Sequence, residues 1–74
     1  MNALQLTVTS RHGALLRVLG LVERRGYAPV HVAFEAGEDG HCQLSLGVLG
    51  GRSVDLLARQ LSRLAEVKHV EVRS

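Results

Sequence analysis

Chemistry has few footholds in this chain of 74 residues. A covalent nucleophile needs a serine or cysteine within hydrogen-bond reach of a base. The single cysteine, Cys42, shares the parity of Leu44 and Leu46. It is expected to face the core, where a thiol packs as a small apolar group. The carboxylates fall in a turn (Glu38, Asp39), near element ends or on a helix surface, and no pair converges for acid–base work. Four histidines (His12, His31, His41, His69) lie far apart, with no Cys-x-x-Cys or His-x-His spacing to hold a metal. His31 and Gln43 take solvent-side parity. No catalytic residue and no metal site is assigned.

A chain this short forms one small domain, residues 1–74, and hides only about 60% of the surface its unfolded form exposes. One cysteine excludes an intrachain disulfide, so association with another chain is the expected support. Tyr27 and Phe34 are the only aromatic residues, which removes the stacking platforms that single-stranded nucleic acid requires. Eight arginines and one lysine are spread along the chain, with Arg24-Arg25 the longest basic run, so no polybasic patch marks a nucleic-acid partner. No apolar stretch approaches the ~18–20 residues of a membrane span, and the first residues lack an apolar signal region. A lone cysteine suits a reducing compartment. A soluble cytoplasmic domain is expected.

Leu4, Leu6 and Val8 alternate with Gln5, Thr7 and Thr9, the period of a half-buried strand. Ser10 to Gly13 breaks that pattern. Leu15, Val18, Leu19 and Val22 then form one apolar stripe at helical spacing, and Gly26 ends the helix. Val30, Val32 and Phe34 alternate with His31, Ala33 and Glu35 as a second strand, and Pro29 marks it as an edge. Gly37 to Gly40 reads as a hairpin turn. Cys42, Leu44, Leu46 and Val48 make a third strand that ends at Gly50-Gly51. Val54, Leu57, Leu61 and Leu64 stripe a second helix, with Asp55 in its first turn, and Val67, Val70 and Val72 close the chain as a strand.

The order β-α-β-β-α-β, in two similar halves, implies an α+β ferredoxin-like sandwich: a four-stranded antiparallel sheet with both helices on one face. The first and third strands are then central. An RNA-recognition domain of this fold needs aromatics on the exposed sheet face, which here reads Gln5, Thr7, Gln43 and Ser45. Acylphosphatases place an arginine in a glycine-rich phosphate loop after the first strand. Arg11 is comparably placed, but that cradle is missing. Metal carriers of this fold need two cysteines in the first loop, which has none.

The segment from Arg11 to Tyr27 resembles an ACT domain, whose hallmark is a glycine-then-leucine step into the first helix and an arginine-glycine step out of it. Gly13-Ala14-Leu15, Arg17-Val18, Gly20-Leu21 and Arg25-Gly26-Tyr27 are most similar to the regulatory small subunits of acetolactate synthase. Arg52-Ser53-Val54-Asp55-Leu56-Leu57, Gln60-Leu61, Leu64, Val67 and His69-Val70 agree with the short isozyme II type, which lacks the long carboxy-terminal domain of larger members. The resemblance runs from first strand to last. It implies a non-catalytic subunit that activates a large catalytic partner in branched-chain amino-acid biosynthesis. Thiamine diphosphate, magnesium and FAD would reside in that partner and no cofactor in this chain. A free-standing amino-acid sensor regulating some other protein is the alternative.

In this family the amino-acid effector binds at a dimer interface, against the first loop and the start of the second strand. Carried over, Ser10, Arg11, His12, Gly13 and Ala14 would form one wall and Ala28 the other. Free N–H groups of the first helical turn favour a carboxylate there, although Gly13 also fits a role confined to a tight turn. Valine-responsive members carry asparagine where this chain has Ser10 and Ala28, which implies weak or absent valine feedback. Leu16, Gly20 and Leu21 lie off the helix stripe. With Pro29 and Val30 at the edge strand they are candidate homodimer contacts, although scattered exposed leucines also occur on monomers.

Overall fold

The side chains of Leu4, Leu6 and Val8 all turn the same way along β1 (Asn2–Thr9), and all three are buried. The computed structural model describes residues 1–9, 13–37, 39–50 and 53–73. After β1 come α1 (Ala14–Arg24), β2 (Ala28–Ala36), β3 (His41–Leu49), α2 (Val54–Ser62) and β4 (Val67–Val72). The sheet order is β2-β3-β1-β4, antiparallel throughout. The expected α+β ferredoxin-like βαββαβ sandwich is therefore present, with β1 and β3 central and the Pro29 strand at an edge.

One cluster makes the core. Leu4, Leu6 and Val8 of β1 and Cys42, Leu44, Leu46 and Val48 of β3 meet Val18 and Val22 of α1 and Leu57 and Leu61 of α2. Fully burying a valine or leucine is worth about 1.5–3 kcal/mol. Leu15, Leu19, Val54 and Leu64 flank this cluster half-buried, as the helical stripes require. Leu21 departs from expectation. It is only 7% exposed and joins the core, because α1 is packed on more than the single stripe its spacing suggests.

Two irregularities adjust the strands. Pro29 pairs with Val48 and His31 with Gly47, so Val30 is an extra residue that breaks the simple alternation of β2. Thr7 pairs with His69 but Val8 with Val67, which leaves Lys68 over. That bulge lets Val67 and Val70, three residues apart, both turn toward the core. In the hairpin between β2 and β3, Gly37 N–H donates to the His41 carbonyl at 2.8 Å. Glu38 lies outside the described residues.

Candidate functional site

The site implied at the first loop begins with residues whose structure is only partly described: Ser10, Arg11 and His12 lie outside the described residues. Gly13 caps α1 with φ at 89°, in the left-handed region, and an added Cβ there would meet nothing within 4 Å. The backbone turn thus requires glycine, and the space beyond it is open. Arg17 N–H donates to the Gly13 carbonyl at 3.0 Å, closing the first turn. Among the described residues no side chain caps that turn, and no acidic residue lies in it, so its N–H groups carry the positive end of the helix. Ala14 corrects an expectation. It is 1% exposed and faces the core, so only its backbone N–H is available to a ligand.

Ala28, the other expected wall, is exposed as the first residue of β2 and pairs with Leu49. It stands at the far end of the sheet. Ala36 and Val8 pair with Cys42 from its two sides, which puts the end of β2 level with the end of β1 across β3 and so at the end of the sheet from which the chain leads to Gly13. Eight strand steps separate Ala28 from that end, about 26 Å at 3.3 Å per residue. One copy of the chain does not bring Gly13 and Ala28 together.

The edge of the sheet carries unpartnered apolar surface. Among the described residues β2 pairs only with β3, and α1 covers it incompletely. Val30, Val32 and Phe34 remain 51%, 42% and 43% exposed, although Val32 and Phe34 pair with buried Leu46 and Leu44. Alternation alone reads these side chains as core; Pro29 is the signal that they sit on an overhanging edge. Pro29 is half-buried. Leu16, 74% exposed, and Gly20 line the cleft between the helices.

Other polar groups satisfy one another at the surface. On the open sheet face Gln5 Nε2 donates to Gln43 Oε1 at 3.3 Å, Gln43 Nε2 donates to Thr7 Oγ1 at 3.1 Å, and Ser45 Oγ donates to Gln5 Oε1 at 2.7 Å. His69 meets Glu71 at 3.3 Å and His41 meets Asp39 at 3.4 Å. The hydrogen bond from His41 holds the Asp39 carboxyl below its ordinary range. Cys42 is buried within the core cluster. Among the described residues no three His, Cys, Asp or Glu side chains cluster as metal ligands. Among the described residues no helix is long and apolar enough to cross a membrane.

Residues 10–70 match the ACT-domain family model. The chain belongs to the ACT-domain family. Across 71 residues this ACT domain is 37% identical to the acetolactate synthase isozyme 2 small subunit of Escherichia coli, a match covering 92% of this chain and 82% of that one. The same identity holds to the isozyme 2 small subunit of Shigella flexneri. Among solved structures, the acetolactate synthase small subunit from Thermotoga maritima superposes with a TM-score of 0.83 at 23% identity, over 96% of this chain and 45% of that one. The ACT domain of the GTP pyrophosphokinase of Chlorobium tepidum gives 0.80 at 15% identity, over 97% and 95%. At such identities the superpositions establish the fold.

Within this ACT domain the first-loop glycine and the Arg25-Gly26-Tyr27 exit from α1 occupy the expected places. Gly26 has φ at 86°, and the Tyr27 hydroxyl donates to the Ser53 carbonyl at 2.8 Å. The exit motif thereby links the end of α1 to the start of α2.

Proposed function

We propose that this ACT domain is the regulatory, non-catalytic small subunit of an acetolactate synthase, serving valine, leucine and isoleucine biosynthesis by activating a separate catalytic large subunit. The observation that carries this reading is the 37% identity to an isozyme 2 small subunit over 92% of the chain. A shared fold alone would not select one role among many. Thiamine diphosphate, magnesium and FAD belong to the catalytic partner in this reading. Activation requires tighter binding to the active conformation of the large subunit than to the inactive one, since a binder shifts an equilibrium only by that difference.

A homodimer built along β2 belongs to the same reading. Antiparallel pairing of two β2 edges would cover Val30, Val32 and Phe34 and continue the sheet to eight strands. Centred near Val32, it sets Ala28 of one copy opposite Ala36 of the other. Gly13 and the partner copy's Ala28 then approach each other, and an amino-acid effector could contact both while its carboxylate meets the first turn of α1.

Acetolactate formation by the large subunit from the same genome, with and without the purified chain, tests the reading. A severalfold stimulation is expected. A large subunit equally active alone would overturn it and favour the free-standing sensor.

A further inference from the structure

The outer surface between α1 and α2 is a cleft with a consistent chemistry. A cavity of about 410 Å³ lies between the end of α1 and the start of α2, and one of about 250 Å³ lies toward the other end. Arg24 lines both, and the two lie end to end along the helix pair as a groove that its side chain borders throughout. Arg25 Nη2 donates to Gln60 Oε1 at 3.1 Å and bridges the helices. Gly20 leaves room for the Arg24 side chain, whose Nη1 would lie 3.9 Å from a Cβ there. Arg17 also lines the groove and pairs with Glu66 at 3.0 Å. No carboxylate is among the lining residues described. Leu16 and Leu56 stand exposed at opposite ends.

We propose that this groove docks an acidic, apolar-anchored segment of the catalytic large subunit. The proposal rests on the regulatory-subunit reading. Arg24 and Arg25, which meet no carboxylate among the lining residues described, call for a negatively charged occupant, and arginine pairs with carboxylates in a directed, two-pronged geometry. A small anion between them would leave Leu16 and Leu56 in water. A peptide segment along the groove satisfies the arginines and covers both leucines, with an apolar side chain against each. The nine residues of α2 give the groove a length of about 13 Å, room for two turns of helix or four extended residues. The β2 edge remains free for a second copy.

Binding of the large subunit to the purified chain is measured at low and high salt, for wild type, Arg24→Glu, Leu56→Glu and, as a control with a charge change elsewhere, Lys68→Glu. All three side chains are exposed, so circular dichroism is expected to stay unchanged, and Arg24→Glu alone carries the test should Leu56→Glu unfold. Wild-type affinity is expected to fall with salt. Both groove variants are expected to weaken binding about tenfold or more, and Lys68→Glu to stay within about twofold. Groove variants that bind as wild type would overturn the proposal while leaving the regulatory reading intact. Absence of wild-type binding would remove both. A change in the sedimentation mass of Arg24→Glu would assign the groove to a second copy instead and overturn the proposal.

Discussion

The Tyr27 hydroxyl donates to the Ser53 carbonyl oxygen at 2.8 Å, which ties the turn after α1 to the start of α2 across 26 positions of sequence. Tyr27 is buried in the same cluster as Val22 and Leu57. Tyr27→Phe keeps the ring and removes the donor. Because the Ser53 carbonyl also accepts the Leu56 N–H at 3.1 Å, it is not left orphaned. The expected loss is about 0.5–1.5 kcal/mol, read from urea midpoints at unchanged slope. A neutral result would show that the bond adds nothing beyond the packing of the ring.

Two glycines of α1 are expected to respond in opposite directions to alanine. Gly13→Ala forces a side chain into a left-handed conformation, costing about 1–2 kcal/mol although nothing lies within 4 Å. Gly20→Ala sits inside the helix, where its Cβ would make an ordinary contact with Arg24. It is expected to stabilise by up to about 1 kcal/mol. Thermal unfolding of the pair checks both signs, and a stabilising Gly13→Ala would mean that the left-handed cap is not held in solution.

The strand and helix pattern was legible because apolar spacing maps directly onto one buried face. Leu4, Leu6 and Val8, or Leu57 and Leu61, point where their parity says. Three things were not legible. Leu21 lies off the apparent stripe yet is buried, since the width of a helix's contact depends on what packs beside it. Val32 and Phe34 have core parity yet stay exposed, because periodicity records the face of a strand and not whether a helix covers it. The separation of Ala28 from Gly13 follows from strand order, which no local pattern contains.

The exposed edge gives a direct test of self-association. Val32 is 42% exposed on an unpaired strand edge, and Val32→Lys places a charge where a second copy would pair. Sedimentation is expected to give twice 8.0 kDa for wild type and a single-chain mass for the variant, with the same circular dichroism. A wild type sedimenting as a single chain at high micromolar concentration would remove the β2-paired dimer and, with it, the site shared between copies.

In the proposed site shared between copies, effector specificity would turn on Ala28. An asparagine amide both donates and accepts hydrogen bonds, whereas the methyl group of alanine does neither. A ligand's polar group buried against Ala28 therefore lacks a partner worth roughly 1–3 kcal/mol. This chain is expected to bind valine weakly or not at all, and micromolar binding by wild type in calorimetry would sink that expectation. Since Ala28 is exposed at the start of β2, Ala28→Asn should fold normally. Combined with Ser10→Asn it is expected to raise valine affinity by about tenfold or more. Heat of valine binding is the readout, together with valine inhibition of the reconstituted synthase. A double variant that gains no affinity would show that these two positions do not set the effector site.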